Sequence, residues 1–106
     1  MNKYHNKKCF YKDMTFDSKK ERDYYIVLEM MLKNKQISDL RTQVKFELQP
    51  SFKFKGKTIR SINYIADFTY MKDGQLVIVD TKGYRTEVYK LKKKLMQYKG
   101  YDIEEI

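Results

Sequence analysis

The sequence predicts one α/β domain with a mixed sheet and the element order αβββαβ. Two segments space their apolar residues as amphipathic helices do, and three segments between them are rich in the β-branched and aromatic residues of strands. A length of 106 residues suffices for one hydrophobic core and leaves little room for a second. We therefore expect a basic N-terminal arm at residues 1–14, followed by a single domain at residues 15–106.

The first helix is predicted over Thr15 to Lys35. Ser18 and Glu21 have the spacing of a capping box, in which the two residues satisfy each other's backbone amides at the start of a helix. Glu21 also heads the apolar stripe of the helix, which continues through Tyr25, Leu28 and Leu32. The Glu21 carboxylate is therefore expected on the inward face, where it either only caps the helix or also faces a polar site.

Three strands are predicted after this helix, over Arg41 to Leu48, Ile59 to Tyr70 and Gln75 to Lys82. A turn around Gly56 separates the first two strands, and Asp73-Gly74 is a strong hairpin signal between the second and the third. The third strand is apolar on both faces, so we expect it to be covered from both sides. Alternation along the second strand predicts that one face carries Ile62, Tyr64, Ala66, Phe68 and Tyr70.

A second helix is predicted over Thr86 to Tyr98, and a short last strand over Tyr101 to Ile106. The lysines of this helix are expected to be exposed and, apart from Glu87, to lack acids that offset them within the helix. That pattern fits either a solvated face or contact with phosphates, and we favour phosphates. The packing stripe of the helix is predicted to be Val88, Leu91, Leu95 and Tyr98.

The composition is strongly basic, with 23 lysines and arginines against 14 acids and a formal charge of +9. Such a surplus favours nucleic acid first and an anionic membrane surface second, although a merely solvated basic surface has the same composition. Basic and aromatic residues alternate in the N-terminal arm, which fits contact with DNA as well as a loosely ordered terminus. We expect DNA contacts from Lys7, Lys8, Lys19, Lys20, Lys90, Lys93 and Lys94.

The cellular setting is predicted from what the sequence lacks. A single cysteine, Cys9, excludes an internal disulfide and fits a reducing compartment. No apolar run is long enough to cross a bilayer, and the basic N-terminus lacks the apolar stretch of a signal peptide. His5 and Cys9 have no further histidine or cysteine with which to complete a zinc site. We therefore expect a cytoplasmic protein without a membrane partner.

The chemistry is expected at one end of the hairpin that turns at Asp73-Gly74. Antiparallel pairing would bring Asp67 on one strand beside Asp80 and Lys82 on the next. Two buried carboxylates are costly unless a cation lies between them, and a divalent metal would be such a cation. Mg²⁺ prefers oxygen ligands and can activate both a phosphate and a bound water, while the Lys82 ammonium can stabilise charge on phosphorus. The pattern therefore predicts hydrolysis of phosphodiester bonds.

Glu21, Asp67, Asp80 and Lys82 occur in the order of the motif residues of the PD-(D/E)xK nuclease superfamily, which this sequence resembles. The shared core of that superfamily is αβββαβ, and Ala66 stands here in place of the proline of its name. Nearly the whole chain also resembles a family of short phage proteins found among replication and recombination genes. The matching stretches are residues 2–5, 15–21, 46–50, 64–68 and 82–83.

The resemblance implies a restriction-endonuclease-like fold, a Mg²⁺-dependent active site in which Mn²⁺ can substitute, and a role on phage DNA in the bacterial cytoplasm. It makes Asp67 and Asp80 metal ligands, Lys82 the catalytic lysine and Glu21 a ligand of metal or water. By analogy with Holliday-junction resolvases, the expected substrate is branched DNA such as a four-way junction. Two cuts resolve a junction, so a homodimer is expected to supply the two sites.

Two other functions remain open. One is a catalytically silent DNA-binding module on the same fold, which the nuclease prediction outweighs because a silent site has no reason to retain buried charge. The other is an RNA-binding domain, since residues 82–89 partly imitate an RNA-recognition motif. Arg85, Thr86 and Glu87 stand where that motif needs small, aromatic and apolar residues, and the element order also differs.

Overall fold

The fold is a mixed α/β domain, seen in a computed structural model that describes residues 7–81 and 84–106. Its helices are α1 (Lys19–Lys33) and α2 (Glu87–Tyr98). The strands are β1 (Cys9–Tyr11), β2 (Met14–Phe16), β3 (Ser38–Gln49), β4 (Phe52–Phe54), β5 (Lys57–Ile59), β6 (Ile62–Lys72), β7 (Gln75–Asp80) and β8 (Ile103–Glu105). Without the small hairpins β1–β2 and β4–β5, the order is α1-β3-β6-β7-α2-β8, which is the predicted αβββαβ. Neither of these helices is long and apolar enough to cross a membrane.

The main sheet has the strand order β3-β6-β7-β8. Its first two pairings are antiparallel, whereas β7 and β8 run parallel, because α2 carries the chain back to the start of the next strand. The turn between β6 and β7 is formed by Asp73 (φ 52) and Gly74 (φ 77), two left-handed residues of the kind a tight hairpin requires. The register that this turn sets brings Asp67, in the middle of β6, next to Asp80 at the end of β7.

Two hydrophobic clusters cover the sheet. The first contains Val79 of β7 and the second its neighbour Ile78, and successive residues of a strand point to opposite faces. The clusters therefore lie on opposite faces, and the second half of β7 is covered from both sides as predicted, whereas Leu76 in its first half is 47% exposed. The first cluster consists of Phe16, Leu28, Ile37, Phe68, Tyr70 and Val79. The second consists of Tyr64, Ala66, Ile78, Tyr89, Met96 and Ile103.

Strand β6 changes its packing partner in the middle. Tyr64 and Ala66 pack in the second cluster, whereas Phe68 and Tyr70 pack in the first. The prediction that alternation places these four residues on one face of the sheet is therefore wrong. The change falls at Asp67, opposite Gln43 of β3, whose backbone φ of 52 is left-handed and interrupts the regular pleat.

The buried face of α2 differs from the predicted stripe. Val88, Leu91 and Tyr98 are 62%, 55% and 89% exposed, so that prediction is wrong for these residues. The helix instead buries Tyr89 and Met96. Tyr89 faces inward partly because its hydroxyl donates a 2.6 Å hydrogen bond to Oε2 of Glu105 on β8. This bond sets the rotation of the helix about its axis.

The described part of the N-terminal arm contains regular secondary structure. Residues 9–16 form the β1–β2 hairpin, and Phe16 is buried, so the predicted helix start at Thr15 is too early. Helix α1 begins after Ser18, whose side chain accepts a hydrogen bond from the Glu21 amide at 3.1 Å. Tyr11 reaches α1 through a 2.6 Å hydrogen bond to Glu29. His5 lies outside the described residues.

Candidate active site

Asp67 and Asp80 lie side by side where the β6–β7 ladder ends. The last pair in the register is Phe68 with Val79, and continuing it by one residue places Asp67 opposite Asp80. Thr81, the next residue, donates to Oδ2 of Asp67 from its backbone amide at 2.8 Å and from its hydroxyl at 2.7 Å. The Asp67 carboxylate is thus held by the strand that carries Asp80.

Asp80 is fully buried and is held by an aromatic hydroxyl. Its side chain has no solvent exposure, and Tyr64 donates a hydrogen bond to Oδ2. Burial and the neighbouring Asp80 charge both raise the pKa of the Tyr64 hydroxyl, so Tyr64 remains a neutral donor. The Asp80 backbone carbonyl accepts from the Ile106 amide at 3.0 Å, which ties the end of β7 to the chain that follows β8.

The Glu21 carboxylate binds the backbone just before its helix and also lies near the acids of the sheet. Its Oε1 accepts from the Asp17 amide at 3.2 Å, and its Oε2 accepts from Nε2 of Gln43 at 3.0 Å. Burial and then the charge of Asp67 raise the pKa of Glu21 to about 7, with a smaller contribution from Asp80. The hydrogen bond from the Asp17 amide opposes this rise. The carboxylate of Glu21 therefore binds the Asp17 amide rather than that of the cap residue Ser18, and it lies within electrostatic reach of Asp67.

Gln43 is a residue of this site that the sequence did not indicate. A polar residue in an alternating strand normally faces solvent, and nothing in the sequence signals a left-handed backbone at a non-glycine position. Such a conformation costs on the order of 1–3 kcal/mol and persists only where the surroundings hold it. Here Gln43 stands opposite Asp67 and donates to Glu21, so it connects the sheet acid with the helix acid. Thr81 and Tyr64 were likewise not indicated, because their roles depend on tertiary contacts.

The lysines expected to contact DNA differ in their surroundings. Lys8 pairs with Asp17 at 3.1 Å and Lys90 with Glu87 at 3.1 Å, both on exposed surface. Lys93 is 3.2 Å from Glu105 of β8, so an acid outside the helix offsets its charge, although Glu87 is the only acid within the helix itself. The remaining exposed members are Lys7, Lys19, Lys20 and Lys94.

Glu105 is the centre of a charged cluster beside α2. Arg85 approaches its carboxylate to 2.9 Å, Tyr89 donates to it, and Lys93 completes the set. The hydrogen bond from Arg85, then those from Tyr89 and Lys93, lower the pKa of Glu105 to about 2. Glu105 therefore neutralises part of the basic surface and reduces the share of α2 that is free for phosphate.

The oxygen donors present suit a hard cation such as Mg²⁺, which needs only one or two protein carboxylates beside water and substrate oxygens. Among the described residues, no group of three or more His, Cys, Asp or Glu side chains is arranged to hold a metal ion. A Mg²⁺ ion would therefore fit best at the neighbouring carboxylates of Asp67 and Asp80. The Glu21 carboxylate instead accepts a hydrogen bond from Gln43. Lys82, predicted as the catalytic lysine, lies outside the described residues.

No curated protein and no solved structure matches this chain. A family model described as "Protein of unknown function (DUF1064)" matches residues 1–105, a span that includes Glu21, Asp67 and Asp80. The chain therefore belongs to the DUF1064 family.

Proposed function

We propose that this protein is a Mg²⁺-dependent DNA endonuclease that hydrolyses phosphodiester bonds. The observation that carries the proposal is that Asp67 and Asp80 lie next to each other where the β6–β7 ladder ends, each oriented by hydrogen bonds, with Glu21 of α1 near enough for the Asp67 charge to raise its pKa. The described donors to Glu21 and Asp67 are all neutral groups. Like charges held together in a partly desolvated site oppose folding, so the arrangement favours uptake of a cation.

Each site residue has a role in this proposal. Asp67 and Asp80 would hold the Mg²⁺, which when bound supplies Lewis-acid activation of a phosphate and a water. Thr81 and Tyr64 orient these two carboxylates before substrate arrives. Glu21, held by Gln43, would orient a water toward the phosphate. The role of Lys82 in stabilising charge on phosphorus comes from the resemblance to PD-(D/E)xK nucleases.

The substrate class is proposed from charge and from that resemblance. A formal charge of +9 favours a polyanion and fits recognition of the DNA backbone and shape. Branched DNA in phage recombination or replication is the proposed target, and a homodimer would supply the two cuts that a four-way junction requires. Mn²⁺ is expected to substitute for Mg²⁺.

A silent DNA-binding module is the second candidate, and one observation favours it. Both oxygens of Glu21 accept hydrogen bonds from neutral groups, as does Oδ2 of Asp67. Carboxylates satisfied in this way can be retained for folding alone. Cleavage has to be measured to separate the two candidates.

The deciding experiment incubates the purified protein with labelled four-way-junction, flap, duplex and single-stranded DNA, in Mg²⁺, Mn²⁺ or EDTA. Asp80→Asn removes a proposed catalytic charge with little change in size, and Lys82→Ala removes the proposed catalytic ammonium together with its aliphatic stem. Asp73→Asn is the matched control, because Asp73 lies in the turn at the opposite end of the β6–β7 hairpin and asparagine tolerates its φ of 52.

The proposal requires products that need a divalent metal, disappear in Asp80→Asn and Lys82→Ala, and persist in Asp73→Asn. Binding to DNA should survive in all three variants. Tight binding without product in either metal would overturn the proposal in favour of the silent module. Selective binding of single-stranded RNA would instead support an RNA-binding domain.

A further inference from the structure

The hairpin β4–β5 is an exposed extension of the main sheet with aromatic residues on its surface. Every residue from 51 to 60 is exposed. In its register Phe52 pairs with Ile59 and Phe54 with Lys57, which places Phe52, Phe54 and Ile59 on one face. These three side chains are 44%, 59% and 38% exposed. Large apolar side chains grouped on one exposed face mark a binding surface.

The charge of this segment favours a polyanionic partner. No acid occurs between Glu47 and Asp67, whereas the same stretch contains Lys53, Lys55, Lys57 and Arg60. The Lys55 ammonium lies 5.5 Å from the Phe54 ring centroid, and Lys53 donates to Thr58 at 2.7 Å. Lys55 and Lys57 therefore lie beside the aromatic residues, Lys53 lies on the opposite face of the ribbon, and no acid of the same segment offsets these charges.

The hairpin is held in a defined shape and is connected to the acidic site. Lys55 (φ 52) and Gly56 (φ 78) form a two-residue turn whose left-handed backbone matches the twist of the flanking strands. At its base, the β3–β6 ladder begins with Gln49 opposite Ile62. Asp67 follows Ile62 by five residues, which is about 17 Å along a strand. A single nucleic-acid molecule can therefore contact both the hairpin and the acids.

We infer that hairpin β4–β5 is a nucleic-acid-binding element whose Phe52 and Phe54 stack on unpaired bases while its lysines contact the adjoining phosphates. Exposed aromatic rings with cations nearby suit the binding of single strands, because every base offers a flat face and every linkage a negative charge. A role for the hairpin in selecting branched or single-stranded substrates depends on the proposed endonuclease function. Its contact with DNA can be measured without cleavage.

An anionic membrane is a less suitable partner for this surface. Its turn is Lys55-Gly56, with Lys57 next to it, so insertion into lipid with the turn leading would bury ammonium groups. The rings lie along the side of the ribbon, where a nucleic-acid strand can pass. Vesicle binding is nevertheless one outcome of the test below.

The test measures equilibrium binding in EDTA to labelled single-stranded, flap and duplex DNA, by fluorescence anisotropy over a range of salt concentrations, and binding to phosphatidylserine vesicles. The variant Phe52→Ala/Phe54→Ala removes the rings, and Phe52→Tyr/Phe54→Tyr retains them. Tyr98→Ala is the control for loss of an exposed aromatic side chain, because Tyr98 is 89% exposed on α2. A third variant changes Lys53, Lys55 and Lys57 to glutamine.

We expect the double alanine variant to bind single-stranded and flap DNA about tenfold or more weakly, as loss of base stacking predicts. Its affinity for duplex should change less than about threefold, and the tyrosine variant and Tyr98→Ala should bind like wild type. The glutamine variant should bind all DNA more weakly and with a shallower salt dependence. Circular dichroism of each variant verifies folding.

Unchanged affinity of the double alanine variant for every DNA would overturn the inference, as would an equal loss in Tyr98→Ala. Loss of binding to phosphatidylserine vesicles with intact DNA binding would assign the hairpin to membranes instead. Failure of the proposed function is a separate result: an inactive protein whose DNA binding still depends on Phe52 and Phe54 keeps this inference. If the protein cleaves DNA but its DNA binding is unchanged by both substitutions, the endonuclease proposal stands and the inference about the hairpin fails.

Discussion

The hydroxyl of Tyr64 donates a hydrogen bond to Oδ2 of Asp80, and both side chains are buried. A carboxylate removed from water is stable only where donors replace the lost hydration. Tyr64 is sixteen residues from Asp80 in sequence, and the pairing of β6 with β7 brings the two strands together. The orientation of this acid is therefore a consequence of the hairpin.

Tyr64→Phe is expected to lower the free energy of unfolding by about 1–3 kcal/mol, because it keeps the ring and removes one donor from a buried carboxylate. Urea denaturation at pH 7 measures this change. Tyr25→Phe is the control, since Tyr25 makes ring contacts with Phe16 and Phe68 that phenylalanine retains. Equal stability of the two variants would contradict the role given to the Tyr64 hydroxyl.

Glu21→Gln is expected to raise the melting temperature of the metal-free protein at pH 8 and to have little effect near pH 4.5. The folded-state pKa of Glu21 is raised to about 7 from a usual 4.5, chiefly by burial and by the Asp67 charge. Below pH 4.5 Glu21 is protonated in both the folded and the unfolded state, and the neutral Glu21 side chain makes its full contribution to stability. It is lost as the pH rises to 7, because the folded state then carries an unfavourable charge.

Thermal unfolding in EDTA at pH 4.5, 6 and 8 measures the effect of Glu21→Gln. Glu29→Gln on the same helix is the control with the opposite sign, because hydrogen bonds from Tyr11 and Lys12 lower the pKa of Glu29. Its contribution is present above the usual pKa and lost in acid. A Glu21→Gln effect that did not vary with pH would contradict the assigned pKa.

Glu105→Gln is expected to destabilise the protein at neutral pH and to lose that effect in acid. The hydrogen bonds from Arg85, Tyr89 and Lys93 lower the pKa of Glu105 to about 2, so its contribution is complete above about pH 4.5. It disappears as the pH falls from 4.5 to 2. Melting temperatures between pH 2.5 and 7 measure this pH dependence. Glu104→Gln is the control, because Glu104 is the neighbouring residue and is exposed. Parallel curves for the two variants would argue against the Glu105 cluster.

Mg²⁺ is expected to raise the melting temperature of the wild-type protein in a saturable way, since a ligand that binds only the native state stabilises it. At ten times its dissociation constant the gain is about 1.4 kcal/mol. Asp67→Asn/Asp80→Asn should abolish the gain, and Asp73→Asn should retain it. Scanning calorimetry across a Mg²⁺ titration provides the measurement. A gain that survives in the double variant would place the metal elsewhere.

Local patterns in the sequence were sufficient to predict the order of the elements. The Asp73-Gly74 turn fixes the β6–β7 register, and that register places Asp67 opposite Asp80. The Ser18 cap determines where α1 begins, which puts Glu21 in its first turn. Each of these relationships depends on residues a few positions apart or on one tight turn, so periodicity and turn chemistry are enough to predict it.

Only the tertiary structure decided which faces are buried and what surrounds the acids. Helix α2 turns Tyr89 inward because Glu105, sixteen residues away on another element, accepts its hydrogen bond. The side-chain amide of Gln43 donates to Glu21, and the Gln43 backbone is left-handed. No residue type at this position indicates such a backbone. The physical reason is that hydrogen bonds between distant elements can outweigh the local apolar pattern, and such bonds are formed only when the chain is folded.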